Sequence, residues 1–117
     1  MDEQLFKQRT KQFALRAIRL VENLPSTRTA DVIGRQLLRC GTSVGANYRA
    51  ACRGKSVADV ISKLAIVEEE ADETAYWLEL LIEARIVLES DVSELLREAN
   101  EIVAMTVASI KTLRGRP

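Results

Sequence analysis

Arg35, Arg39, Arg49 and Arg53 recur at helical spacing, with Lys55 just beyond them. At about 100° per residue they form one strip of a helix, with Thr42 and Ala46 between them. Such a strip can do two kinds of chemistry. It can span the phosphates of a nucleic acid. It can equally grip the carboxylates of a neighbouring helix, because the guanidinium fork matches them. Both readings stay open at this level. No aromatic residue interleaves with the arginines, so stacking on bases is not suggested.

Carboxylates cluster later, in the run Glu68-Glu69-Glu70-Ala71-Asp72-Glu73. Glu69-Glu70-x-x-Glu73 matches the E-E-x-x-E run with which all-α nucleoside triphosphate pyrophosphohydrolases hold Mg²⁺. Those enzymes also need a downstream E-x-x-D, and the nearest run here is Glu98-x-x-Glu101. A di-iron bundle needs Glu-x-x-His on two helices. The chain has no histidine, which also removes a Ser/His or Cys/His nucleophile. Cys40 and Cys52 are 12 residues apart on one predicted helix, or about 18 Å, beyond disulfide reach. They read as small, reduced, apolar residues. Zinc is not expected without C-x-x-C or histidine. The expectation is a binding protein with no catalytic residue, metal or cofactor. The Mg²⁺-dependent pyrophosphohydrolase is the remote alternative.

Four helices must position these groups: about 3–23, 28–53, 57–86 and 91–113. With 47% apolar and 4% aromatic residues, the 117-residue chain suits one aliphatic helical core. Phe6, Phe13, Ala17, Leu20, Val21 and Leu24 make the buried line of the first helix, with Asp2 as its N-cap. Ile33, Leu37, Val44 and Tyr48 make that of the second. Gly34, Gly41 and Gly45 share an edge beside them. Helix-interior glycine costs about 1 kcal/mol relative to alanine, so a close-packed neighbour is expected there. A helix end at Gly41 is the alternative, but the apolar spacing runs through it. Gly54 reads as the C-terminal glycine and Ser56 as the next N-cap, in a box closed by Asp59.

The third helix carries two apolar lines. One, through Val57, Val60/Ile61, Leu64, Val67, Ala71, Ala75, Leu78 and Ile82, faces its own bundle. The other holds Ile66, Trp77, Leu80 and Ala84, with Glu73 among them. A lone bundle needs one apolar face per helix, so the second line predicts a contact between copies. Glu68 edges the inward line and calls for an arginine of the second helix. Ser90 or Asp91 caps the fourth helix, which buries Val92, Leu95/Leu96, Ala99, Ile102/Val103, Thr106, Ile110 and Leu113. Arg114-Gly115-Arg116-Pro117 reads as a frayed basic tail.

The run R-Q-L-L-R-x-G-T-S-V-G-A-N-Y-R-A-A over 35–51, and Glu70-Ala71-Asp72-Glu73-Thr74 followed by Tyr76-Trp77-Leu78-Glu79-Leu80-Leu81, resemble one family. It is that of the small four-helix-bundle proteins related to those encoded by intervening sequences in bacterial 23S ribosomal RNA genes. The resemblance covers about Phe6 to Leu113. It implies an all-α, antiparallel up-and-down four-helix bundle that assembles into a ring, typically of five subunits. Some relatives are accessory proteins of retroelements, which bind a reverse transcriptase and RNA. Ala50, where the family often has Glu, and Cys52, often polar, depart from the pattern.

Formal charge is zero overall but uneven. Residues 1–56 carry 11 Lys/Arg against 4 Asp/Glu, and residues 57–117 carry 6 against 13. Two basic helices can neutralise two acidic ones, or leave a basic surface exposed. No apolar run approaches the roughly 20 residues that span a bilayer. The start M-D-E-Q does not read as a signal peptide, so a cytoplasmic setting and no membrane partner are expected. The chain therefore reads as a non-enzymatic homo-oligomer, possible partner of RNA or a reverse transcriptase through Arg35, Arg39, Arg49, Arg53 and Lys55. The alternative is a protein-binding module with no nucleic-acid contact.

Overall fold

The computed structural model describes residues 2–116. Of the M-D-E-Q start and the basic tail, Met1 and Pro117 lie outside the described residues. The chain folds into α1 (Glu3–Glu22), α2 (Arg28–Cys52), α3 (Val57–Glu83) and α4 (Glu89–Arg114). Three short loops join them, so neighbours run antiparallel in an up-and-down four-helix bundle 51 × 20 × 19 Å in extent. The most extensive seam is α2 on α3, then α3 on α4 and α1 on α2; α1 meets α4 lightly. One cluster joins all four helices, from Phe6 and Phe13 through Leu37, Val44, Val67 and Leu78 to Leu95 and Ile102.

Most helix ends follow from their capping residues. Asp2 accepts from the Leu5 N–H at 3.0 Å, Thr27 from Ala30 at 3.2 Å, and Ser56 from Asp59 at 3.0 Å. Asp59 closes its box one residue early, accepting from the Lys55 N–H at 3.1 Å. Three ends differ from expectation. Leu88 precedes α4 with no side-chain cap, so neither Ser90 nor Asp91 caps it. Glu89 and Asp91 instead lie in its first turn, where carboxylates favour the helix dipole. No described glycine has positive φ, so Gly54 is not a left-handed C-terminal glycine. A Cβ there would stand 2.5 Å from Val60 Cγ2, and crowding against α3 is what requires glycine.

The left-handed residue is Arg85, at φ 60°, just past the end of α3. Its N–H donates to Ile82 O at 3.0 Å and that of Ile86 to Leu81 O at 3.0 Å. That pair of bonds is the Schellman arrangement, in which glycine is the usual occupant. The turn ends α3 at Glu83, three residues before the expected 86.

The glycine edge of α2 rests on α1, as its spacing predicts. Helix α2 is unbroken at Gly41, and a Cβ there would meet Ala17 Cβ at 2.9 Å. One on Gly45 would meet Thr10 Oγ1 at 3.3 Å. Thr10, Thr74 and Thr106 are buried, and each donates its hydroxyl to the carbonyl four residues earlier, Phe6, Glu70 and Ile102. Val57, expected inside, is the first residue of α3 and is 47% exposed. Leu81, outside both apolar lines, is fully buried.

Two substitutions test these local constraints by urea unfolding. Gly41→Leu drives a side chain into Ala17 and should destabilise by about 1–3 kcal/mol. Arg85→Gly removes a left-handed side chain and should stabilise by up to about 1 kcal/mol.

Candidate nucleic-acid interface

Helix α2 presents its arginine strip to the outside, but the five predicted cations do not share one environment. Arg35 is exposed and reaches back to Asp31 on its own helix at 3.1 Å. Arg39 crosses to α3, where its guanidinium contacts Glu70 at 3.3 Å and bonds Glu73. Arg49, Arg53 and Lys55 are exposed, with no carboxylate in ion-pair reach among the described residues. The strip divides into a paired N-terminal half and an unpaired C-terminal half. Arg49 shares a groove with Lys7 and Lys11 of α1, and Arg35 lies at a separate cleft by Leu24 and Pro25.

The carboxylate that takes the α2 arginine is not Glu68. Glu68 is half-buried on the α3 surface with no ion pair among the described residues, and Glu70 and Glu73 receive Arg39. Glu73 also accepts from Trp77 Nε1 at 3.0 Å. That bond first, and Arg39 second, hold the Glu73 carboxyl below its usual range against the opposing effect of burial. Two carboxylates of the E-E-x-x-E run are thus engaged by a guanidinium. No group of three His, Cys, Asp or Glu among the described residues is placed to hold a metal.

Around the predicted interface line of α3, Ile66, Trp77 and Leu80 are half-buried and Ala84 is exposed. Trp77 packs edge-on to Tyr76, with ring centroids 5.3 Å apart, and Tyr76 is 54% exposed. Trp77 also packs against the bundle's own core, and Tyr76 is an exposed aromatic that the line did not include.

One ion pair escaped the sequence reading. Arg9 of α1 forks onto Glu98 of α4, with Nη2 at 2.7 Å from Oε1 and Nε at 3.0 Å from Oε2. Its other prong reaches Met105 Sδ at 3.2 Å. Arg16 and Glu94 extend the same seam at 3.9 Å. The only trace in sequence is an odd-sign pair on two helices, and nothing local says that they face each other. The cysteines are structural. Cys40 is buried with its Sγ 3.2 Å from the Thr74 hydroxyl oxygen, and burial pushes its thiol up. Burial raises the half-buried Cys52 thiol too, so neither is poised as a thiolate.

Two measurements probe these contacts. Arg9→Ala strips the partner from a carboxylate only 16% exposed and should destabilise by about 1–2 kcal/mol. Because the Glu73 pKa is depressed, its contacts contribute above the usual 4.5 and are lost as pH falls through the lower folded value. Trp77 is the sole tryptophan. Its emission should change only below about pH 4.5, and Arg39→Gln should move that midpoint upward.

The family described as 23S rRNA-intervening sequence protein matches residues 3–108. A solved structure of a protein with unknown function from the S23 ribosomal protein family of Bacteroides thetaiotaomicron superposes with TM-score 0.84 at 38% identity. The match covers 90% of this chain and 97% of that one. No curated protein matches. No helix among the described residues is long and apolar enough to cross a membrane.

Proposed function

This chain belongs to the 23S rRNA-intervening sequence protein family, and from that premise we propose a non-enzymatic, homo-oligomeric scaffold. It forms a pentameric ring in the cytoplasm. Basic residues of α1 and α2 engage a structured RNA, or a protein that handles RNA such as a reverse transcriptase.

The observation that carries this reading is the charge left over after internal pairing. In the first half of the chain, Lys7, Arg9, Arg16, Arg35 and Arg39 meet carboxylates. Lys11, Arg19, Arg28, Arg49, Arg53 and Lys55 meet none among the described residues, and all are exposed. Neutralisation of basic by acidic helices is therefore incomplete. Cations held in water at the surface of α1, α2 and the loop after it attract polyanions over a Debye length of about 8 Å. The engagement of Glu70 and Glu73 by Arg39 favours scaffold over metal-dependent hydrolase. Self-association rests on α3, where exposed Tyr76 and Ala84 adjoin the half-buried Trp77 and Leu80.

Light scattering tests the assembly: a mass about five times the 13.1 kDa of one chain is expected, and Ala84→Arg should lower it. Retention of a structured RNA on the protein should be strong at about 50 mM salt and fall steeply by about 200 mM. A full-size assembly with no RNA retention at low salt selects the protein-only module instead.

A further inference from the structure

The close approach of α1 and α2 leaves a groove of about 460 Å³ running over their seam. Its floor is small: Ala14 of α1, and Gly45 and Ala46 of α2. Gly45 lets Thr10 approach, since a Cβ there would lie 3.4 Å from the Thr10 backbone carbonyl carbon. Its walls carry Lys7 and Lys11 from α1 and Arg49 from α2, with the amides of Gln4 and Gln8 beside them. Lys7 also pairs with Glu3 at 3.3 Å beyond the lining; Lys11 and Arg49 have no carboxylate partner among the described residues. No carboxylate lines the groove. The larger cleft at the α3–α4 turn differs: there Arg16, Arg19 and Arg85 sit among Glu89, Asp91 and Glu94.

We propose that this α1–α2 groove is the seat of an RNA sugar-phosphate backbone, gripped by Lys7, Lys11 and Arg49, a proposal that rests on the RNA-engaging reading above. Three features favour a phosphodiester chain over an acidic protein surface. The cations come from both helices and the lining between them is of small residues, Thr10, Ala14, Thr42, Gly45 and Ala46, so a thin charged strand can lie there. The Gln4 and Gln8 amides in the lining add the neutral donors that phosphate and sugar oxygens accept from. A protein partner draws most of its affinity from a buried aromatic or aliphatic anchor, and the lining holds neither. The same lack of aromatics means no base is stacked, so binding is indifferent to sequence. Within the predicted cation set this assigns contact to Arg49 and leaves Arg35 and Arg39 to their carboxylates.

The test measures binding of a labelled oligouridine and a labelled RNA duplex across a salt series. Lys11→Ala with Arg49→Ala should weaken both roughly tenfold or more and lower the slope of log affinity against log salt by about 2. The charge-matched control, Arg97→Ala with Arg114→Ala on α4, should change affinity less than about twofold. Ala46→Trp fills the groove without touching a charge and should weaken binding as the double variant does, so a folding failure in one variant leaves the other decisive. Equal losses in the two double variants, or no loss with Ala46→Trp, overturn the groove while the RNA-engaging reading stands. No binding by the unaltered protein overturns that reading and the groove with it. A fall in assembly mass with unchanged RNA binding assigns the groove to the acidic face of a second copy and overturns the proposal.

Discussion

The structure depends on how closely α1 and α2 approach. Gly41 against Ala17 and Gly45 against Thr10 leave no room for a Cβ without displacement. Each glycine costs helix propensity of about 1 kcal/mol. Dispersion contacts along the touching backbones must offset that, and they do so only at short range. The approach then sets everything built on it. It brings α1 cations beside Arg49, and it positions Phe6 edge-on to Tyr48, with ring centroids 4.6 Å apart.

Ion pairs do a different job at the two seams where basic and acidic helices meet. Arg9 on Glu98 ties α1 to α4, the lightest helix contact in the bundle. Apolar area there is small, so a two-pronged, largely desolvated pair carries more of the specificity than an exposed pair could. Arg39 on Glu70 and Glu73 lies over α2 and α3, which already share the most extensive seam. It is half-exposed and adds register rather than strength, fixing Glu73 under the Trp77 N–H.

Elements with a strong repeating signal were legible in the sequence. The four helices, the core lines of α1, α2 and α4 and the caps Asp2 and Ser56 follow from period and side-chain chemistry alone. The α3–α4 turn was not legible, because Arg85 takes a conformation that its residue type disfavours and tertiary packing imposes it. Gly54 was found at the right place for the wrong reason: its neighbour is Val60, which spacing within α2 cannot reveal. In the candidate site, spacing put five cations near one another but could not sort paired from unpaired. That sorting depends on which carboxylate of α3 stands opposite, and Glu70 and Glu73 differ from Glu68 by rotation about the helix alone.

Topology explains why cations remain unpaired in a chain of zero net charge. An up-and-down bundle puts consecutive helices side by side, and this chain places both basic helices first. Of its four seams, α2–α3 and α4–α1 join opposite signs and can neutralise. The α1–α2 and α3–α4 seams join like signs and cannot. Like charges on facing helices repel, so those two seams must close by shape and apolar contact. Glycine, alanine and threonine close the first, and Leu81, Leu95 and their neighbours serve the second. Of the surplus cations, Lys11 and Arg49 are left beside the small-residue seam. A neutral sequence thereby keeps unpaired cations on its first two helices, and the order of helices along the chain, more than any single residue, decides which seams go unneutralised.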